Sequence, residues 1–97
     1  MTIVVLDYNR CIHYGDRRAP WVRLYRKLFQ DWRFRALSVE HRLLYLGLLT
    51  LAEARPDGNG DVAGPVERIE LDLHLNPEVV GPGLTALAEA KLIEYEP

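Results

Sequence analysis

The segment between residues 17 and 35 interleaves basic and aromatic side chains. Its basic members are Arg17, Arg18, Arg23, Arg26, Lys27, Arg33 and Arg35. The aromatic residues considered with them are Trp21, Tyr25, Trp32 and Phe34. Guanidinium groups bind phosphate oxygens in a bidentate manner, and an exposed ring can stack on a base or on an arginine. The seven basic residues are therefore the candidate DNA-binding residues, while the opposite interpretation, buried aromatics beneath a solvated basic face, stays open.

The charges of the chain are unevenly distributed along its length. The 97 residues carry a formal net charge of −2. Residues 1–55 hold ten basic and five acidic side chains, whereas residues 56–97 hold two basic and nine acidic ones. Such an asymmetry indicates a nucleic-acid or partner surface on the basic side. The alternative is that the two halves pair with each other, either within the chain or between copies, so a homo-oligomer is also expected.

No pattern in the sequence is typical of catalysis or of metal binding. Ser38 suits a helix cap better than a nucleophile, and neither a G-x-S-x-G motif nor a P-loop is present. The run at 57–61 mimics the start of a calcium loop, but Val62 and Arg68 stand where a glycine and an acid are needed. The lone Cys11 has no zinc-site spacing around it. We therefore predict a protein that is not an enzyme and has no metal and no cofactor.

A central helix over residues 38–54 must position the rest of the chain. Its apolar residues cover more than one face, which predicts burial on most sides. Ser38 is a good N-cap residue, and Glu40 in the first turn suits the helix dipole. The stretch is too short and too interrupted by charges to span a membrane. With one cysteine and no signal-peptide pattern, we predict a cytoplasmic protein without a membrane partner.

The remaining elements are short and predict a single α+β domain over residues 1–97. Residues 1–20 form an N-terminal arm, with a strand at 2–8 and a loop at 9–19. Helical spacing predicts a helix over 21–31 with Trp32 inward, and a turn then leads to a short strand at 62–64. A helix at 65–75 and a second at 76–90 follow, the latter kinked or starting late near Gly83 because of Pro82. Residues 92–96 alternate as a strand does.

Three sequence pieces carry a family resemblance. Residues 31–38 have the form D-x-x-F-x-x-L-S, residues 42–46 read RLLYL, and residues 87–93 read LAEAKLI. These pieces resemble the N-terminal winged-helix domain of phage replication proteins of the replisome-organiser, DnaD-like kind. The resemblance implies a winged helix-turn-helix fold with three to four helices and a small sheet. It also implies a DNA-binding or DNA-associated module of a phage or mobile-element replication protein. Contacts made mainly to phosphates through the basic segment 17–35 would give such a module a weak sequence preference.

The chain departs from that family in two places. Its second wing strand is missing after Pro97, and Thr2–Tyr8 is a candidate to replace it by pairing with Leu92–Glu96. The helix over 76–90 stands where a recognition helix would be, yet it contains two glutamates and no basic residue. The alternative function is therefore a protein–protein interaction module that uses this acidic helix, as a dimerisation domain or as a small phage factor that binds a host enzyme. An unpaired strand edge would likewise favour self-association.

Overall fold

The computed structural model describes residues 1–8, 22 and 24–97. Within these residues the chain forms four α-helices, one short 3-10 helix and a four-stranded antiparallel sheet. The helices are α1 (Trp32–Arg35), α2 (Val39–Leu51), α3 (Val66–Leu73) and α4 (Pro77–Glu89), and the 3-10 helix covers Leu28–Gln30. The strands are β1 (Thr2–Val5), β2 (Glu53–Ala54), β3 (Gly60–Asp61) and β4 (Ile93–Glu96). The predicted α+β class is confirmed, and the predicted loop at 9–19 lies outside the described residues.

Strand β1 occupies an interior position in the sheet. The strand order is β2-β3-β1-β4, and β1 is antiparallel to both of its neighbours. Thr2 lies opposite Glu96, and Val5 lies opposite Ile93. The pairing between the first and last strands is therefore present, and it is made within one chain. Strand β1 thus covers one edge of β4, and the other edge of β4 ends the sheet.

The two faces of the sheet differ in chemistry. Residues that lie opposite each other on antiparallel strands project to the same face. Because Val4 lies opposite both Asp61 and Glu94, one face carries a row of acids. We call this surface the acidic sheet face, and its exposed members are Glu53, Asp61, Glu94 and Glu96. The other face sends Ile3 and Val5 into the core.

Helix α2 lies at the centre of the core, as its apolar pattern predicts. Ser38 caps it, because its Oγ accepts the backbone N–H of His41 at 3.2 Å. Its buried residues are Leu44, Tyr45, Leu48 and Leu49. Helix α4 packs against it so closely that a Cβ on Gly83 would lie 2.5 Å from Cδ2 of Leu44. None of the helices in the described ranges has the length and apolar character that crossing a bilayer requires.

The helix predicted over residues 21–31 is wrong in its described part. Residues 24 and 25 belong to no helix or strand, residues 26 and 27 form a turn, and Leu28–Gln30 make a single 3-10 turn. Asp31 then takes an extended backbone conformation, and its side chain caps the next helix. A carboxylate that bonds a backbone N–H two residues ahead offers the chain an alternative to a continuous helix. Leu28 is buried as expected, but Trp32 projects outward.

Three other boundaries also differ from the predictions. Helix α4 begins at Pro77, where a proline needs no hydrogen-bond donor, so the late start expected near Gly83 is wrong, while the alternative, a kink at Pro82, stays a prediction. Pro82 is tolerated on the exposed side of α4, since the carbonyl it leaves without an N–H partner belongs to the exposed Glu78. Helix α2 ends at Leu51 and not at residue 54, because Glu53–Ala54 form β2. The strand expected at 62–64 lies earlier in the chain, at Gly60–Asp61, and is β3.

Candidate nucleic-acid interface

Three buried apolar side chains fix the segment 24–38 to the core. These are Leu28, Phe34 and Leu37, which precede α2 and are all less than a tenth exposed. The ring of Phe34 meets the ring of Tyr45 on α2 edge to face, with centroids 6.0 Å apart. Because the anchors are separated by six and three positions, the residues between them are free to face solvent. The segment therefore presents polar and aromatic side chains from a fixed backbone.

Asp31 and Arg33 form a clamp at the start of α1. Oδ1 of Asp31 accepts the backbone N–H of Arg33 at 2.9 Å, and Nε and Nη2 of Arg33 donate to the carboxylate at 3.1 and 2.7 Å. Nη1 donates to the backbone carbonyl of Lys91 at 3.2 Å. These hydrogen bonds from Arg33 lower the pKa of Asp31, and the carboxylate raises the pKa of Arg33. Arg33 thus ties α1 to the turn after α4.

Arg42 has a similar positioning role, which the sequence interpretation missed. Its Nε donates to the carbonyl of Leu37 at 3.1 Å, and its Nη2 donates to the carbonyl of Arg35 at 2.9 Å. Its guanidinium carbon lies 5.7 Å from the centre of the Phe34 ring. These bonds satisfy carbonyls at the end of α1, which a short helix leaves without partners. The signal in the sequence was an arginine one turn into the helix that follows α1.

Arg26, Lys27 and Arg35 are the predicted site residues whose charges face solvent. All three are exposed, and none has a hydrogen bond or an ion pair from its side chain within the described part of the chain. Arg26 and Lys27 stand in the turn before the 3-10 helix, and Arg35 ends α1. Of the predicted set, Arg17, Arg18 and Arg23 lie outside the described residues, as does Trp21.

The aromatic residues of this segment divide into buried and exposed groups. Phe34 is fully buried, so it belongs to the core and not to a binding surface. Trp32 is 73% exposed and Phe29 is 63% exposed. Phe29 packs edge to face on Phe34, with ring centroids 5.1 Å apart. We name Arg26, Lys27, Phe29, Trp32 and Arg35 the basic–aromatic surface. The sequence did not identify Phe29 as a candidate binding residue, because the predicted helix over 21–31 assigned it to neither the buried nor the exposed side.

The exposed side of α4 has a different character. Its exposed residues are Glu78, Pro82, Thr85 and Glu89, while Val80, Leu84 and Leu87 are buried. Two carboxylates and no basic group face solvent on this helix. A helix that enters a DNA groove must approach phosphates, which repel carboxylates. Helix α4 is therefore a poor reader of a DNA groove.

The acidic turn between β2 and β3 uses its polar side chains to hold itself together. Oδ1 of Asp57 accepts the N–H of Asn59 at 3.0 Å, and Oδ1 of Asn59 accepts the N–H of Asp7 at 3.0 Å. Arg55 pairs with Asp57 at 3.1 Å and with Asp61 at 3.4 Å. The oxygens that resemble calcium ligands thus have protein partners. In the residues placed by the structure, no three His, Cys, Asp or Glu side chains are grouped so as to hold a metal ion.

Comparison with known protein families, with characterised proteins and with solved structures finds no match for this chain. What remains to indicate a function is the order of the elements together with the basic–aromatic surface. The order of the elements can be tested by mutation, and the basic–aromatic surface by mutation combined with DNA-binding measurements.

Proposed function

We propose that the chain is a winged helix-turn-helix module that binds DNA, mainly through phosphate contacts to the basic–aromatic surface. The order α2, β2–β3 hairpin, α3, three-residue turn, α4 and β4 supports this fold. Strand β1 takes the position of a second wing strand beside β4. The resemblance to replisome-organiser, DnaD-like domains favours a non-catalytic role in phage or mobile-element replication, in the cytoplasm.

One observation carries the proposal: the charges of Arg26, Lys27 and Arg35 are not used by the fold. Elsewhere in the described chain, four arginines are engaged, namely Arg33, Arg42, Arg55 and Arg68. Lysine and arginine side chains without protein partners can release counterions from a phosphate backbone without first breaking an ion pair. All three lie within ten residues of sequence, on the segment that Leu28, Phe34 and Leu37 fix to the core.

The proposed binding mode does not read sequence. Phosphate contacts fix the position of a protein on DNA but carry no base information. The helix that would normally enter the major groove is α4, whose exposed side carries Glu78 and Glu89. We therefore expect affinities that differ little between DNA sequences and that fall steeply as salt rises.

The test is fluorescence anisotropy of a labelled 12-nucleotide DNA at several salt concentrations. Each phosphate contact contributes about 0.7 to the slope of log affinity against log salt for a single strand, and about 0.9 for a duplex. The variant Arg26→Gln/Lys27→Gln removes two contacts, so the slope should fall by about 1.4 to 1.8. Affinity at low salt should fall as well.

A matched control separates local contacts from net charge. Arg55→Gln/Arg68→Gln changes the net charge by the same two units, but both arginines lie outside the basic–aromatic surface and are ion-paired. This control should bind DNA nearly as the unmodified chain does. No detectable binding by the unmodified chain at low salt would refute the proposal, and equal losses in both double variants would show that net charge alone decides.

A second candidate function is a protein–protein module, and a specific observation favours it. Glu78 and Glu89 on α4 are exposed and have no ion pair within the described residues, and the acidic sheet face adds further carboxylates. Such surfaces fit a basic partner, either a second copy of this chain or a host protein. If this candidate holds, Glu78→Gln/Glu89→Gln should abolish the association in a sedimentation experiment and leave DNA binding unchanged.

A further inference from the structure

We infer that the basic–aromatic surface takes single-stranded DNA in preference to duplex DNA. This inference rests on the proposed function and names the form of its ligand. It starts from the two large rings that the fold leaves in solvent, Trp32 and Phe29, which are 73% and 63% exposed. The other described aromatic rings are buried or considerably more covered, Tyr25 being the nearest at 38%.

The two rings are presented from a rigid support. Phe29 stands edge to face on Phe34 at 5.1 Å, and Phe34 in turn packs on Tyr45 and beneath Arg42. Trp32 is the first residue of α1, whose N-terminus is capped by the side chain of Asp31. Phe29 therefore loses little conformational freedom when a flat ligand stacks on it, and Trp32 is carried by a capped backbone.

The charges lie on the same short segment as the rings. Arg26 and Lys27 come three and two residues before Phe29, respectively, and Arg35 comes one helical turn after Trp32. Cations and aromatic rings close together on one segment are what a single strand requires, since its phosphates and its unstacked bases need separate partners. Two rings fit a short contact of two or three nucleotides.

A duplex cannot use the same rings. In double-stranded DNA the faces of the bases are covered by stacking, so that only base edges are open in the grooves. Groove reading needs a helix or a ribbon with suitable donors, and the exposed side of α4 offers two carboxylates instead. Duplex DNA would therefore engage only the cations, whereas a single strand engages the cations and the rings.

The experiment compares three ligands of equal length at one low salt concentration: a 12-nucleotide oligothymidine, a mixed-sequence duplex, and a strand of abasic sites. The chain has two tryptophans, so a Trp21→Phe background leaves Trp32 as the reporter of stacking. We expect the oligothymidine to bind about tenfold or more tightly than the other two ligands and to quench Trp32 fluorescence.

Variants at Trp32 provide the second readout. Trp32→Ala should weaken oligothymidine binding about tenfold and leave binding of the abasic strand unchanged, whereas Trp32→Phe should restore most of the affinity. Leu71→Ala is the matched control, because Leu71 is also 70% exposed and lies on α3. Circular dichroism of each variant checks that the fold is kept.

The outcomes separate this inference from the proposed function. Binding of the duplex as tightly as the single strand, with no quenching and no effect of Trp32→Ala, would overturn the inference and leave phosphate binding in place. Failure of all three ligands to bind would overturn both. Preference for the single strand that disappears in Trp32→Ala and returns in Trp32→Phe would establish it.

Discussion

A circular permutant tests the interior position of β1, on which the proposed fold depends. Thr2 lies opposite Glu96, so a short linker can join Pro97 to Met1 without moving either strand. The new chain would begin at Asp16 and end at Gly15, with a three-residue Gly-Asn-Gly linker closing a β4–β1 hairpin. The permutant converts the most distant pairing in the sequence into a local one.

The expected gain in the free energy of unfolding follows from the lengths of two connections, one in the natural chain and one in the permutant. In the natural order, the buried Tyr8 and Leu28 are joined by residues 9–27, which is nineteen residues. In the permutant, Glu96 and Thr2 are joined by Pro97, the linker and Met1, which is about five residues. Loop-closure entropy then favours the permutant by 1.5RT ln(19/5), or about 1 kcal/mol in the free energy of unfolding.

Urea unfolding followed by circular dichroism measures this difference. The control carries the same linker but is opened between Gly58 and Asn59, in the turn where Arg55 N–H donates to the carbonyl of Asn59 at 2.8 Å. It should be less stable than the first permutant, because β2 and β3 are no longer joined. A first permutant that fails to fold, or that is no more stable than the control, would mean that β1 does not lie between β3 and β4.

Three further predictions concern the core, the clamp and the oligomeric state. Leu44→Ala and Leu48→Ala should each lower the free energy of unfolding by about 2–5 kcal/mol, since both are fully buried, and losses below about 1 kcal/mol would mean a misplaced core. The pKa of Asp31 is lowered in the folded protein, so its carboxylate stabilises the fold at pH values above the usual aspartate pKa, near 4. This stabilisation is lost as the pH falls through the folded-state pKa of Asp31. Arg33→Gln should remove that part of the acid sensitivity in urea midpoints measured between pH 2 and 6, and an unchanged pH profile would contradict the clamp. Sedimentation at low and high salt should show self-association that weakens with salt, because attraction between oppositely charged surfaces is screened by ions; a monomer at both salts would exclude it.

The elements that were predictable from sequence are those with local signals. Helix α2 was recognised because a capping serine precedes a strongly apolar run, and the cap is made as expected by Ser38. The start of α4 followed from the Asn76–Pro77 pair, although the asparagine side chain makes no capping hydrogen bond. Strand β1 was also visible from its composition. Its position inside the sheet could not be predicted, because composition does not specify partners 55 to 94 residues away.

The failures have physical causes that spacing does not reveal. Residues 21–32 repeat apolar side chains as a helix does, yet Asp31 caps the following helix instead of continuing one. That choice sends Trp32 outward, so the residue best suited to stacking was assigned to the core. The sequence shows which residues are charged, but it does not show which of them are hydrogen-bonded within the fold and which face solvent. Arg33 is engaged by a carbonyl 58 positions away, whereas its neighbour Arg35 is left in solvent.

Between described residues, the two halves of the chain are joined by ion pairs only at their border, where Arg55 pairs with Asp57 and Asp61. Ion pairs between described residues join side chains at most six positions apart, as in Arg55 with Asp61. The cations of the basic–aromatic surface and the two exposed glutamates of α4 have no ion pair among the described residues and keep their charge toward solvent. A polyanion is attracted to the first and repelled by the second, so the field of the protein would orient a DNA strand along the segment 24–38. The same repulsion would keep the acidic sheet face and α4 clear of the strand, and thus open to a basic protein partner while DNA is bound.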